Sequence, residues 1–238
     1  MRCKKSNIIK LKIISIQILF SYSLLFSNGP FSMETITQED GLRDGPDYSE
    51  ALVYYPSDAP IPLPVVVLVP GFTNSISDIE NWGYYLASYG FVTLLVNVNS
   101  IWQPPAYRAA ALLDGIVTMR LEDERSDSPL FGSLNLEDFT VGGYSMGGGA
   151  SHDAALIAQE NGIDYIDSII SFNPTVLFED CDLCPADTYE GEVYCICLVP
   201  ELVDHSVPSL IFAGEVEVNE LSAYAGMLGQ DIYDNMPE

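Results

Sequence analysis

From residue 51 onward, short apolar runs alternate with stretches of helical spacing. The run Val65–Val69 (VVVLV) contains no polar residue, which is typical of a strand buried on both faces of a sheet. Tyr107–Arg125, by contrast, has apolar residues at intervals of three and four, which predicts an amphipathic helix. The predicted strands are Ala51–Tyr55, Val65–Val69, Phe91–Val98, Phe139–Gly143, Tyr165–Phe172 and Val207–Ala213, and the predicted helices are Asp78–Tyr89, Tyr107–Arg125, Met146–Gln159 and Leu221–Tyr233. This alternation predicts one α/β domain with a mostly parallel, doubly wound sheet.

The first thirty residues have a different pattern. A basic stretch, Met1–Lys12, precedes the apolar run Ile13–Phe26, and small or turn-forming residues follow. A membrane-spanning helix needs about 20 apolar residues. The shorter run therefore favours a secretory signal over residues 1–29, cleaved near Ser27–Ser32, rather than an uncleaved anchor. We expect a secreted protein without stable membrane insertion, whose folded domain covers residues 34–238.

Charge narrows the range of partners. The chain has 238 residues, and 48% of them are apolar, enough for one substantial core. All 34 acidic residues lie from Glu34 onward, where the basic residues are four arginines. Such a surface repels phosphate backbones, so the composition argues against nucleic acid as a partner. The excess of acid fits a saline environment or simply the solubility of a secreted protein.

Four cysteines lie in Pro174–His205, a segment without regular periodicity: Cys181, Cys184, Cys195 and Cys197. Export favours disulfides over the competing interpretation, a zinc site. Bridges between the two cysteine pairs are expected because a C-x-C bridge closes a small strained ring. The disulfide connectivity stays open. The insertion could fold over the site as a partial lid or could be only a disulfide-braced surface segment.

The sequence GYSMG at 143–147 carries the clearest chemical signal. It is a G-x-S-x-G pattern placed between a predicted strand and a predicted helix. A sharp turn there exposes the Oγ of Ser145 at the helix N-terminus, and Gly143 and Gly147 provide space that a Cβ would fill. The Met146 N–H, at the positive end of the helix, is then a candidate donor to a developing oxyanion.

A second turn follows the VVVLV strand. In Pro70–Thr73 (PGFT), the N–H of Phe72 could approach Ser145 and supply a second oxyanion donor. Alone, this stretch is equally consistent with an ordinary Pro-Gly turn. Its combination with the G-x-S-x-G turn makes the interpretation specific.

Residues 50 to 236 resemble serine α/β-hydrolases, most closely in Pro70–Val98 and Phe139–Ala150. The similar families are polyester-hydrolase-type cutinases, platelet-activating-factor acetylhydrolases, chlorophyllases and dienelactone hydrolases. The resemblance implies an α/β-hydrolase fold with Ser145 as nucleophile and no metal or cofactor.

The same resemblance assigns the oxyanion donors to Phe72 and Met146. It places Tyr144 at a pocket-shaping position where cutinases usually have histidine. Phe72 and Trp102 are candidates to contact an acyl chain. The tryptophan that cutinases usually carry after the next strand has no counterpart in Phe172–Thr175.

The resemblance places the triad acid at Glu217, with Glu215 as the alternative. The base is harder to find because the sequence contains two histidines. His152 lies seven residues after Ser145 on the same predicted helix, about 10 Å along its axis, and His205 precedes a strand, at the opposite end of the sheet from Ser145. We therefore expect both to be structural, and expect the chain as given to lack the last strand and the catalytic histidine loop, and so to be inactive or nearly so.

Together these features predict a secreted carboxylic-ester hydrolase that forms an acyl-enzyme with small or lipid-like esters. A non-catalytic binding protein of the same fold is the alternative, and a peptidase or lipase is a third interpretation. Acyl specificity and oligomeric state are left open.

Overall fold

The computed structural model describes residues 29–175, 203–214 and 229–237. The strands are β1 Met33–Thr37, β2 Tyr48–Pro56, β3 Leu63–Val69, β4 Val92–Val98, β5 Leu134–Tyr144, β6 Ile166–Phe172 and β7 Ser209–Phe212. The helices are α1 Ile76–Ser88, α2 Pro105–Glu124, α3 Met146–Glu160 and α4 Gly229–Asn235, with a short 3-10 turn at Gln38–Asp40.

The strands form one sheet in the order β1-β2-β4-β3-β5-β6-β7. β1 pairs antiparallel with β2, and β2 antiparallel with β4. The remaining neighbours are parallel, so β3, β5, β6 and β7 all end at the same edge. This is the α/β-hydrolase fold, and it confirms the predicted fold class.

The two faces of β3 show why the sheet is covered on both sides. Val65, Val67 and Val69 pack in the main core with α2 and α3, whereas Val66 and Leu68 pack with α1. Because successive side chains of a strand point to opposite faces, an uninterrupted apolar run is what such a strand requires.

Several boundaries differ from the sequence-based expectations. Strand β1 was not predicted, since Ile36 is its single buried residue and it contains no apolar run. The Phe31 N–H bonds to the Ser88 carbonyl (3.2 Å), so the fold includes residues before 34. β5 begins at Leu134, five residues earlier than expected, where Leu134 pairs with Leu63.

Other predictions fall partly or wholly outside the described residues. Residues 1–28, all but the last residue of the expected signal segment 1–29, are among them, as are the four cysteines and residues 176–202 of the insertion. Of the predicted helix Leu221–Tyr233, the structure describes the part from Gly229. Within the described ranges, no helix combines the length and apolar character needed to cross a membrane.

Candidate active site

Ser145 lies at the turn between β5 and α3 with φ 53° and ψ −119°. A positive φ is unfavourable for a residue with a Cβ, so the turn must be held by its surroundings. The Ser145 N–H donates to the Phe172 carbonyl (2.9 Å), and the Ser145 carbonyl accepts from Thr175 and Gly149 N–H (3.1 Å each). These bonds fix the strained residue, whose side chain is half-buried at the edge where the parallel strands end.

The glycines on either side of Ser145 are sterically required. A Cβ on Gly143 would lie 2.4 Å from the Val69 carbonyl oxygen and 2.6 Å from the Gly147 carbonyl carbon. A Cβ on Gly147 would also lie 2.4 Å from the Val69 oxygen. Both contacts are with backbone, so no side-chain movement could relieve them, as the sequence predicted.

The 70–73 turn lies directly against Ser145. A Cβ on Gly71 would be 3.0 Å from the Cβ of Ser145. Thr73 has a φ of 60°, and its N–H donates to the Ile101 carbonyl (3.0 Å). The two turns singled out from the sequence are therefore neighbours in space.

The N-terminus of α3 also lies at Ser145. Met146 is the first residue of the helix and is buried. The first N–H groups of a helix have no acceptor within the helix and lie at the positive end of its dipole. The candidate donor Met146 thus follows Ser145 in the chain, and the candidate donor Phe72 follows Gly71, which contacts Ser145 from a separate element.

Two aromatic rings, those of Phe72 and Trp102, contact each other at the 70–73 turn. The Phe72 and Trp102 rings meet edge to face, with centroids 5.6 Å apart, and Trp102 is 63% exposed. Tyr144, the third predicted pocket residue, ends β5 and is exposed. The structure therefore brings Phe72 and Trp102 into contact, and Tyr144 lies at the end of β5, directly before Ser145.

The two histidines pair with each other in the interior. His152 Nδ1 lies 3.0 Å from His205 Nε2, and both side chains are buried. The Val207 N–H donates to His205 Nδ1 (3.3 Å), so the proton of neutral His205 is on Nε2 and points to His152. Burial lowers the pKa of both histidines, that of His152 to about 3. This pair links α3 to the segment before β7, in agreement with a structural role.

The predicted triad acids lie outside the described residues. β7 ends at Phe212 and the described chain continues to Gly214, immediately before Glu215. The location of Glu217 relative to Ser145 therefore stays a prediction.

Sequence reasoning missed two features near the site. Arg108 is fully buried and donates to carbonyls of the 70–73 turn. Trp82 of α1 stacks on Phe172 (4.1 Å between centroids), which in turn stacks on Phe212 (5.3 Å). A signal existed for Arg108, since it precedes the apolar residues Ala111 and Leu112 by three and four positions, on the stripe that faces the core.

Comparison with known proteins identifies the family. A family model described as PET hydrolase-like matches residues 21–176, which include Ser145 and both candidate oxyanion turns. The chain belongs to the PET hydrolase-like family. The match supports the resemblance on which the site residues were assigned.

Individual relatives of this family member are ester hydrolases by name. Lipase 1 of Moraxella sp. (strain TA144) is 32% identical over 129 residues, 52% of this chain and 37% of the relative. Cutinase est2 of Thermobifida alba is 30% identical over 125 residues, 52% of this chain and 39% of the relative. Bis(hydroxyethyl) terephthalate hydrolase of Streptomyces coelicolor is 31% identical over 128 residues, 53% of this chain and 39% of the relative. The matched segment thus spans less than half the length of each of these relatives.

Proposed function

We propose that this PET hydrolase-like protein is a carboxylic-ester hydrolase with Ser145 as its nucleophile. The observation that carries the proposal is the backbone of Ser145, held at φ 53° between a strand end and a helix start. Such strain is sustained where surrounding structure enforces it, and it clusters at active sites. The family match and the named activities of the relatives support the same chemistry.

In the proposed reaction, Ser145 Oγ attacks the ester carbonyl carbon while a general base accepts its proton. The carbonyl oxygen becomes an oxyanion that accepts hydrogen bonds from the Phe72 and Met146 N–H groups. The intermediate then expels the alcohol, which takes the proton, and leaves an acyl-enzyme. Water attacks this ester by the same steps and releases the acid and free Ser145.

We assign the acid role to Glu217, with Glu215 as the alternative, because the task is to orient and stabilise an imidazolium. The base is assigned to a histidine that is not among these 238 residues. His152 and His205 are unsuited to the role, since they are buried and bonded to each other. Residues 1–238 alone should therefore have little or no turnover.

The substrate class follows from the surface beside Ser145. The Phe72–Trp102 pair presents aromatic surface to an acyl group or a small aromatic acid. The relatives' names share carboxylic-ester hydrolysis and differ in substrate, so we propose small or lipid-like esters as a class. Ester chemistry is favoured over peptide hydrolysis for the same reason.

We also propose export, supported by the basic and apolar N-terminal segments, and disulfides among Cys181, Cys184, Cys195 and Cys197. Peptide mapping of the secreted protein with and without reductant checks both. A mature N-terminus near residue 29 and peptides that separate only after reduction are expected; free thiols would contradict the disulfides.

Hydrolysis of short- and long-acyl nitrophenyl esters tests the function. The full-length natural protein should release nitrophenol, and Ser145→Ala should reduce kcat by a factor of about 10⁴ or more. Ser126→Ala, which changes an exposed serine in the loop after α2, is the matched control and should leave the rate unchanged. Equal turnover by the Ser145→Ala protein would contradict the nucleophile. A full-length protein that binds esters without turnover would favour the non-catalytic binding alternative.

A further inference from the structure

We propose that Arg108 is a positioning residue that holds the Phe72 oxyanion donor and Trp102 in place beside Ser145. This inference rests on the proposed function. The observation that carries it is a set of hydrogen bonds from one buried guanidinium to the two turns that carry these residues.

The guanidinium binds the 70–73 turn through its backbone. Arg108 Nε donates to the Pro70 carbonyl (3.1 Å) and Nη2 donates to the Gly71 carbonyl (3.0 Å). These two carbonyls directly precede the N–H groups of Gly71 and Phe72. Fixing the Gly71 carbonyl fixes the peptide plane whose other end is the Phe72 N–H, because the peptide unit is planar.

The same side chain binds the turn at 101–103. Nη2 also donates to the Ile101 carbonyl (3.2 Å), and Nη1 donates to the Gln103 carbonyl. Trp102 lies between these two residues, and its ring contacts that of Phe72. One guanidinium therefore holds both turns by their backbone, at the two carbonyls before Phe72 and at the carbonyls on either side of Trp102.

The two turns are also joined to each other at an atom that Arg108 binds. The Ile101 carbonyl accepts from the Thr73 N–H (3.0 Å) as well as from Arg108. Thr73 has a φ of 60°, which is unfavourable for a β-branched residue. The bond from the Thr73 N–H to Ile101 and the bond from the Asn74 N–H to the Gly71 carbonyl (3.2 Å) hold it there, and Arg108 donates to both of these accepting carbonyls.

The location of Arg108 is electrostatically unfavourable unless these bonds compensate. The side chain is fully buried, and it lies in the first turn of α2, where the helix dipole disfavours a positive charge. A planar guanidinium can donate to several carbonyls at once in a fixed geometry, whereas a lysine ammonium on a flexible stem cannot match that arrangement. An arginine at position 108 is therefore suited to hold the 70–73 and 101–103 turns in a fixed relative position.

The test compares Arg108→Met and Arg108→Lys with Arg120→Met in the full-length protein. Arg120 is the matched control because it is a partly buried arginine of the same helix that donates to a backbone carbonyl, that of Leu136 (2.7 Å), and covers the Tyr165 ring, away from Ser145. Hydrogen exchange of peptides covering residues 68–75 and 99–104 should accelerate at least tenfold in both Arg108 variants, and not in Arg120→Met.

The kinetic readout separates positioning from general stability. Losing the orientation of one oxyanion donor should lower kcat for a nitrophenyl ester by about 10–100-fold with little change in KM, since the donor acts on the transition state. Arg108→Lys should fall between the wild type and Arg108→Met, and it carries the test if the methionine variant does not fold. Exchange and kcat unchanged in a folded Arg108 variant would overturn the proposal. Failure of the proposed function would show as an inactive wild type, and the exchange experiment would still decide the role of Arg108.

Discussion

Backbone strain gathers at the edge of the sheet where Ser145 lies. Among the described residues, the non-glycine residues with positive φ are Thr73, Ser145 and Asn173. Thr73 belongs to the turn against Ser145, and Asn173 follows β6, whose last carbonyl binds the Ser145 N–H. Each such residue costs roughly 1–3 kcal/mol. Their grouping at one place shows that the rest of the fold stabilises this conformation.

The glycine at 147 offers a direct test of the turn. Gly147→Ala places a Cβ 2.4 Å from the Val69 carbonyl oxygen, so β3 and α3 must separate or the Ser145 turn must relax. We expect a loss of about 1–3 kcal/mol in the free energy of unfolding, measured in urea.

Gly132→Ala is the control for this substitution. Gly132 has a positive φ but no atom within 4 Å of the Cβ position, so it isolates the backbone cost of about 1 kcal/mol. Equal losses in the two variants would contradict the steric account of Gly147.

The histidine pair predicts how stability depends on pH. Burial lowers the pKa of His152 to about 3, whereas the unfolded chain binds this proton near pH 6.5. Between these values the unfolded state holds more protons, so stability falls as the pH falls, by about 1.4 kcal/mol per unit. His152→Asn keeps an acceptor for His205 but removes the titrating group. The wild type should have the larger free energy of unfolding at pH 6, and this difference from the variant should disappear as the pH falls to 4.

Asp153 acts in the opposite direction, because burial raises its pKa to about 7. The comparison with His152→Asn cancels this effect, since both proteins retain Asp153. NMR of the His152 ring should show no titration down to pH 4. A ring that titrates near pH 6.5, or parallel stability curves for the two proteins, would contradict the buried neutral pair.

At the scale of elements, a polar network fastens the chain before β2 to helix α2. Arg43 Nη1 donates to Asp114 Oδ1 (2.7 Å) and to Thr118 Oγ1 (2.9 Å), and the Asp47 N–H donates to Asp114 Oδ2 (3.2 Å). Asp114 is buried, so its loss would leave two donors, Arg43 Nη1 and the Asp47 N–H, without this acceptor.

Asp114→Ala should therefore lower the free energy of unfolding by about 2–4 kcal/mol, by thermal or urea denaturation. Glu124→Ala, on an exposed position of the same helix, should change stability by less than about 0.5 kcal/mol. Similar effects of both substitutions would show that the network contributes little.

The sequence predicted elements well where periodicity was strong and poorly where it was not. The buried strands and the three long helices lie close to their predicted positions because burial dictates their apolar spacing. β1 and the start of β5 were not predicted because backbone pairing with a neighbouring strand, not a run of apolar residues, makes them strands. At the site, the Ser145 turn could be predicted because it has no room for a Cβ at Gly143 or Gly147, and glycine at these positions is visible in the sequence. The burial of Arg108 could have been predicted from its spacing to Ala111 and Leu112, but its role could not, because its acceptors are backbone carbonyls, which carry no residue signature.

At the scale of the whole molecule, charge dominates the surface. The formal net charge is −25, and every acidic residue lies in the part of the chain that follows residue 33. Repulsion among these carboxylates opposes the compact state and weakens as salt shortens the Debye length from about 30 Å at 0.01 M to about 3 Å at 1 M.

Stability should therefore rise with ionic strength. We expect the Tm to increase by several degrees between 0.01 M and 1 M NaCl, and a similar increase with choline chloride, because screening does not depend on the identity of the cation. A Tm that is constant or falls over this range would contradict a surface governed by self-repulsion.

The most direct test of the central assignment is to trap the acyl group on the full-length protein. A nitrophenyl ester mixed with the protein and quenched in acid within milliseconds should leave an adduct with the mass of the acyl group, mapped by peptide mass spectrometry to Ser145 and absent from Ser145→Ala. An acyl adduct on another residue, or turnover with no adduct on Ser145 at any quench time together with full activity of Ser145→Ala, would contradict the assignment.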